Sequence, residues 1–354
     1  MTETIAENDI AIRMKGVTKI FGDDSERAME LLRSGKSKNE VQAETGCVVG
    51  LDNVSLDIAR GQIYVVMGLS GSGKSTLIRH VNRLIDPTAG EIIVDGSDVM
   101  QMTLPELRVY RRQTVAMVFQ KFGLLPHRSV LDNVAYGLEV RGVDKAERLA
   151  TAEKWIETVG LKGYENSQPR QLSGGQQQRV GLARALALDT DILLMDEAFS
   201  ALDPLIRSGM QDQLIELQKS LGKTILFITH DFDEALKIGD RIAVLKDGAV
   251  QQEGKPEEIV LKPANEHIEE FVRDVNKARA IHVRSIMEKG AFEPCEVAVQ
   301  DTARCEDVLP LFADHKLVGV HNDAGEQIGR ITAAEVIRAL ARHHSVEITH
   351  SDAA

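Results

Sequence analysis

Gly68-Leu-Ser-Gly-Ser-Gly-Lys74-Ser75-Thr76 follows the apolar run Ile63-Tyr-Val-Val-Met67 and precedes a stretch patterned as a helix. Strand, glycine-rich loop and helix in that order are the context a phosphate-binding loop requires. Glycines let successive N–H groups turn inward around phosphate oxygens, and the start of the next helix adds partial positive charge. Gly68, Ser70, Gly71, Gly73 and Thr76 are candidates for the cradle. Lys74 would reach the β and γ phosphates and Ser75 would ligate magnesium.

Outward from this loop, apolar runs at 63–67, 115–119, 192–195, 224–229 and 241–245 alternate with helix-patterned stretches. That alternation predicts an α/β fold with a largely parallel sheet covered by helices. The fourth apolar strand candidate ends next to His230, and the third ends in Asp196-Glu197. Two adjacent acids at a strand end beside a phosphate loop suit two roles: Asp196 would hold magnesium, and Glu197 would orient or deprotonate the attacking water. Leu172-Ser-Gly-Gly-Gln176 precedes a helical pattern, so Ser173, Gly174, Gly175 and Gln176 sit where free N–H groups meet a helix dipole. This is a second candidate anion site, to be closed over the γ phosphate of a nucleotide held by another subunit.

The 354 residues suggest two domains, one large and one small. A net charge of −12 argues against a nucleic-acid binder with a broad basic face. No apolar run approaches the ~20 residues that cross a bilayer. No export signal is read at the start, and Cys47, Cys295 and Cys305 show no C-x-x-C pair, so the expectation is a cytoplasmic protein with free thiols.

With these motifs in order, the chain resembles the ATP-binding subunits of ABC transporters from about residue 11 to 260. Phe21 matches the aromatic that stacks on adenine, and 68–76 match the Walker A loop. Gln120 matches the Q-loop glutamine that links magnesium to the membrane partner. Ser173 to Gln176 fall in the LSGGQ signature, and Asp196-Glu197 match the Walker B pair. Ser200-Ala-Leu-Asp203 matches the D-loop, and His230 matches the switch histidine. The resemblance implies a P-loop NTPase domain with a helical subdomain at about 120–185. It also implies ATP and Mg²⁺ at the site, a head-to-tail homodimer, and peripheral docking on permease subunits at the inner face of the plasma membrane. An exported binding protein would supply the solute.

Narrower stretches, among them MGLSGSGKST and DEAFSALDPLIR, are similar to the ATPases of quaternary-amine importers, the glycine betaine, proline betaine and choline group. A helical insert at 23–49, with Ala28, Leu31 and Leu32 at helical spacing, is similar to one in that group. The rival reading is a soluble ABC-type ATPase remodelling DNA or ribosomes. Against it, Lys74 and Leu172 enclose no coiled-coil heptads and the chain has one ATPase domain.

The boundary between the ABC domain (1–280) and the tail (281–354) is placed near residue 280. The tail carries seven basic and twelve acidic residues. Its pattern of strand, helix, strand, turn, strand and helix resembles one CBS-type regulatory motif. Thr332 with Glu335 matches a ribose-holding pair loosely, and also reads as a capping box. His343 and His344 are expected on a solvated face.

Overall fold

The computed structural model describes residues 6, 9–120, 122–200, 202–273, 275–290 and 292–341. Ala201 of the D-loop motif, His343 and His344 lie outside them. The chain divides into two compact units, Met1–Lys255 and Pro256–Ala354.

The first unit begins with β1 (Ile10–Phe21), the insert helices α1 (Ser25–Arg33) and α2 (Lys38–Thr45), β2 (Val48–Ala59), β3 (Ile63–Met67) and α3 (Lys74–Val81). Next come β4 (Ala89–Val94), β5 (Ser97–Asp98), α4 (Leu104–Gln113) and β6 (Val115–Val118). Three helices follow, α5 (Val130–Val140), α6 (Lys145–Thr158) and α7 (Gly174–Ala187). The unit closes with β7 (Ile192–Asp196), α8 (Pro204–Leu221), β8 (Thr224–Thr229), α9 (Phe232–Ile238), β9 (Arg241–Lys246) and β10 (Ala249–Gly254).

The main sheet has the order β10-β9-β3-β8-β7-β6. All its pairings are parallel except β10 with β9. Every residue of β3, β7 and β8 is buried, as a sheet covered on both faces requires. A second, antiparallel sheet, β2-β1-β4-β5, was not read from the sequence. One buried cluster takes in both sheets and α3: Ile12, Met14 and Ile58 belong to it with Leu77, Ile78 and Val81 of the helix and Val66, Leu194 and Leu226 of the main sheet. Each such aliphatic side chain contributes about 1.5–3 kcal/mol on burial. The helix that follows the phosphate loop is therefore held from both sides.

The helical region packs α5, α6 and α7 on one another, and α7 also reaches β6. The insert is a helical pair as expected. Ala28 and Val41 bury against Ile20, Cys47 and Val49 at the end of the β1–β2 ribbon. Gly46 ends α2 with φ 70°, a left-handed cap suited to glycine.

The second unit contains α10 (Pro256–Leu261), α11 (Glu266–Arg273), α12 (Lys277–Ala280), β11 (Glu288–Lys289), β12 (Ala298–Gln300), α13 (Cys305–Val308), β13 (Leu317–His321), β14 (Gln327–Thr332) and α14 (Ala333–Leu340). Its sheet order is β11-β14-β13-β12, with β12 parallel to β13 and the other pairs antiparallel. Cys305, Val308, Val318, Val320, Ile331 and Val336 are buried in it. The division after Lys255 places α10 to α12 with the tail, ahead of the expected boundary near 280. Thr332 and Glu335 form a capping box at the start of α14, the Thr332 N–H donating to Glu335 Oε2 at 2.7 Å. The three cysteines are free thiols, and burial pushes Cys305 up to about 11.

Candidate functional site

The phosphate loop hangs between the end of β3 and the start of α3, where two of its glycines have no substitute. A Cβ on Gly68 would overlap the Leu245 carbonyl, and one on Gly73, at φ 101°, would lie 2.5 Å from the Gly50 carbonyl oxygen. The turn between β9 and β10 clasps the loop from outside, the Gly248 N–H donating to the Ser72 carbonyl at 2.9 Å. Ser70 and Gly71 form the exposed tip, while Lys74 is buried beneath it. Lys74 Nζ donates to the loop's own carbonyls, Gly68 at 2.8 Å and Leu69 at 2.9 Å. Burial lowers its pKa, opposed by the nearby charges of Glu197 and Asp196. A buried ammonium balanced by carboxylates and turned onto carbonyls is well placed to exchange them for phosphate oxygens.

The parallel strands deliver the acids to the same edge. Asp196 ends β7 with its side chain 0% exposed, accepting from Ser75 Oγ at 2.8 Å and pairing with Arg79 Nη2 at 3.4 Å. Glu197, one residue on, has φ 47°, a left-handed conformation that a non-glycine residue adopts at a cost of about 1–3 kcal/mol. That turn sends its carboxylate to the polar cluster: Gln120 Nε2 donates to Glu197 Oε2 at 2.9 Å, and His230 Nδ1 lies 3.3 Å from the same oxygen. The His230 side chain is 56% exposed and that of Glu197 14%. Ser75 with Asp196, and Gln120 and His230 with Glu197, scattered over 156 residues of sequence (75 to 230, inclusive), therefore form two adjacent polar groups at the sheet edge, joined through the neighbouring acids 196 and 197.

The donors for a metal here are a hydroxyl, a carboxylate and an amide oxygen. Hard, oxygen-seeking Mg²⁺ fits that set, and it characteristically takes few protein ligands and completes its shell with water and phosphate. No cluster of three or more His, Cys, Asp or Glu able to hold a metal occurs among the described residues.

Other candidates stand apart from these groups. Ser173 caps α7, its N–H donating to Gln176 Oε1 at 2.9 Å and its Oγ accepting from the Gln176 N–H at 3.3 Å. Ser173 and Gly174 are exposed, and Gly175 and Gln176 are half-buried. Among the described residues no hydrogen bond or ion pair joins 173–176 to 68–76. Asp203 caps α8, accepting from the Ile206 N–H at 3.1 Å. Phe21 is 41% exposed at the end of β1, its ring over Gly50 and beneath Lys19 Nζ at 5.1 Å. Thr76 lies in the first turn of α3.

The ABC transporter family model matches residues 51–200. Over 81% of its length the chain is 54% identical to the glycine betaine transport ATP-binding protein OpuAA of Bacillus subtilis, spanning 68% of that protein. The chain belongs to the ATP-binding proteins of ABC transporters. The ABC ATPase is also 48% identical to the trimethylamine N-oxide transport system ATP-binding protein TmoW of Ruegeria pomeroyi, across 89% of this chain and 95% of the relative. A solved dimer of an ATP-binding cassette in a post-hydrolysis state, bound to ADP and Pi, superposes with a TM-score of 0.60 at 35% identity, covering 69% of this chain and 98% of its own. These relatives are transport proteins, which favours the transporter reading over the soluble remodelling one.

Several residues of the ABC ATPase site were not foreseen. Arg79 neutralises buried Asp196 from α3, and Gln178 Nε2, on α7, reaches the Glu197 carbonyl at 3.5 Å. Arg79 stands three residues beyond Thr76 on the loop's own helix, a helical-face signal that could have found it. Gln178 carries no such signal, because its partner is a backbone atom nineteen positions away.

Proposed function

We propose that two copies of this ATPase bind ATP head to tail, each nucleotide held by the Phe21, Gly68–Thr76, Asp196, Glu197 and His230 side of one copy and by Ser173 to Gln176 of the other. The observation that carries this reading is the separation within one chain. The phosphate loop, Asp196, Glu197 and His230 are linked by contacts, while the exposed, self-capped helix start at Ser173 makes none with the loop. An N-terminus with free N–H groups facing outward suits an anion arriving on another protomer.

In this reading Ser75, Asp196 and Gln120 hold Mg²⁺, which supplies charge neutralisation on the β and γ phosphates when bound. Glu197 orients and deprotonates the attacking water, and His230 hydrogen-bonds the γ phosphate. Lys74 exchanges its loop carbonyls for phosphate oxygens. Neutralising γ-phosphate charge from two sides closes the dimer, and hydrolysis reopens it. Asp203 and Gln120 lie at the ends of segments that would carry this movement, the second to membrane permease subunits.

The cargo reading is import of a small methylated amine such as glycine betaine, proline betaine or choline. The named relatives, which serve glycine betaine and trimethylamine N-oxide transport, support it. No helix among the described residues is long and apolar enough to cross a membrane, consistent with a subunit docked on the inner membrane face. The run β12–α13–β13–β14–α14 within the second unit supports a CBS-type regulatory role for 282–354. Deleting that segment should change the response of transport to salt.

ATP-induced association of a Glu197→Gln variant, followed by light scattering, tests the composite site. Association with ATP and not with ADP is expected. A protein that stays monomeric at saturating ATP and Mg²⁺, alone and on its permease, overturns the head-to-tail reading. Uptake of labelled betaine, choline and trimethylamine N-oxide by the reconstituted complex decides the cargo.

A further inference from the structure

Two polar ties cross from α8 to the start of α9, and both land just after His230, on Asp231 and Glu234. Arg207, in the first turn of α8, donates from Nη1 to Asp231 Oδ2 at 3.1 Å and from Nη2 to the Leu202 carbonyl at 3.2 Å. Leu202 belongs to the 200–203 loop, and Asp231 directly follows His230. One turn further along α8, Gln211 Nε2 donates to Glu234 Oε1 at 3.0 Å, and both residues are buried. The Glu234 N–H donates to Asp231 Oδ1 at 3.1 Å, so this second tie also ends on the residue that follows His230. The Thr229 hydroxyl in turn accepts the Asp231 N–H at 3.0 Å.

The imidazole beside these ties is largely exposed, with the Glu197 carboxylate 3.3 Å from Nδ1. Side-chain packing does little to orient a ring in that position, so the backbone at 229–231 must do it. That backbone is gripped from α8, whose first residues follow directly from the 200–203 loop. A third contact, Lys237 Nζ to Ser208 Oγ at 2.8 Å, keeps the two helices aligned.

We propose that Arg207 and Gln211 are positioning residues that lock the 200–203 loop and the switch histidine into one mechanical body, so that the loop's position sets the angle of the His230 ring. The inference rests on the assignment of His230 to the nucleotide site. Arg207 serves as the tie because its rigid planar fork fixes a carboxylate and a carbonyl in one relative orientation, whereas a lysine ammonium on its flexible stem holds them only as a point charge. Gln211 acts through Glu234 on Asp231.

Steady-state hydrolysis by the full chain on its permease tests this with Arg207→Met, Arg207→Lys, Gln211→Met and His230→Ala. For Arg207→Met the expected result is a fall in kcat of about 10- to 100-fold, the size of a misplaced catalytic group, with KM for ATP unchanged. Arg207→Lys should recover part of the loss. Arg207→Met combined with Asp231→Asn should be no slower than the worse single variant, since both cut the same link. A lowered melting temperature with unchanged kcat in both Arg207→Met and Gln211→Met, alongside a normal requirement for His230, overturns the tie alone. An unchanged kcat in His230→Ala removes the histidine's role and the proposal with it.

Discussion

Two helices of the first unit begin with glycine-rich turns that offer N–H groups to an anion, and they are built in opposite ways. The start of α3 is buried, clasped by Gly248 and loaded with charge: Lys74 sits under the loop, and Asp196 and Arg79 lie behind it. The start of α7 is exposed and uncharged, the N–H groups of Ser173 and Gln176 answered by each other's side chains and those of Gly174 and Gly175 left over among the described residues. A helix terminus that must grip phosphate at any moment needs strong counter-charges held away from water. One that meets phosphate only when a partner arrives must survive alone in water, and a capping box does that.

The comparison breaks first, and by the largest amount, at the metal. If Ser75, Asp196 and Gln120 hold Mg²⁺ as proposed, chelating divalent cations should remove neutralisation worth several kcal/mol from the α3 side only. Hydrolysis should drop to background, while the melting temperature of the protein without nucleotide stays where it was. Next in size is Glu197→Gln, which should slow single-turnover hydrolysis by about 10²–10⁴ and leave ATP binding intact. Unchanged turnover would remove Glu197 from its role.

A subtler test sets the two helix starts against each other. Mixing Lys74→Ala chains with Ser173→Arg chains should restore one working site per heterodimer, whereas each homodimer is inactive. Mixtures as silent as their parents would mean that a single chain contributes both ends to its own nucleotide. The smallest effect belongs to the self-cap. Ser173→Ala should cost about 1 kcal/mol of stability, read as a lowered denaturant midpoint without nucleotide. A midpoint equal to that of the parent would show that the cap bears no weight in the resting state.

Legibility in the sequence followed the range of the physics. The core strands were readable because both faces of a covered parallel sheet demand near-continuous apolar residues, and 63–67 and 224–229 match β3 and β8 residue for residue. The insert helices were visible in the spacing of Ala28, Leu31 and Leu32. The β1–β2 ribbon was missed because its irregular register, with several bulges, blurs the two-residue alternation. The capping box at Thr332 was legible because it closes within four residues.

The phosphate loop, the acid pair and the signature helix start are local patterns, so candidate chemistry for each could be assigned from residue order alone. Only the tertiary structure could show that Glu197 turns through a left-handed backbone to meet Gln120 and His230, or that Arg207 spans the 200–203 loop and Asp231. The reason is distance along the chain. A hydrogen bond between residues dozens of positions apart leaves no periodic trace in the sequence, and it exists only once the parallel strands have brought their ends to one edge.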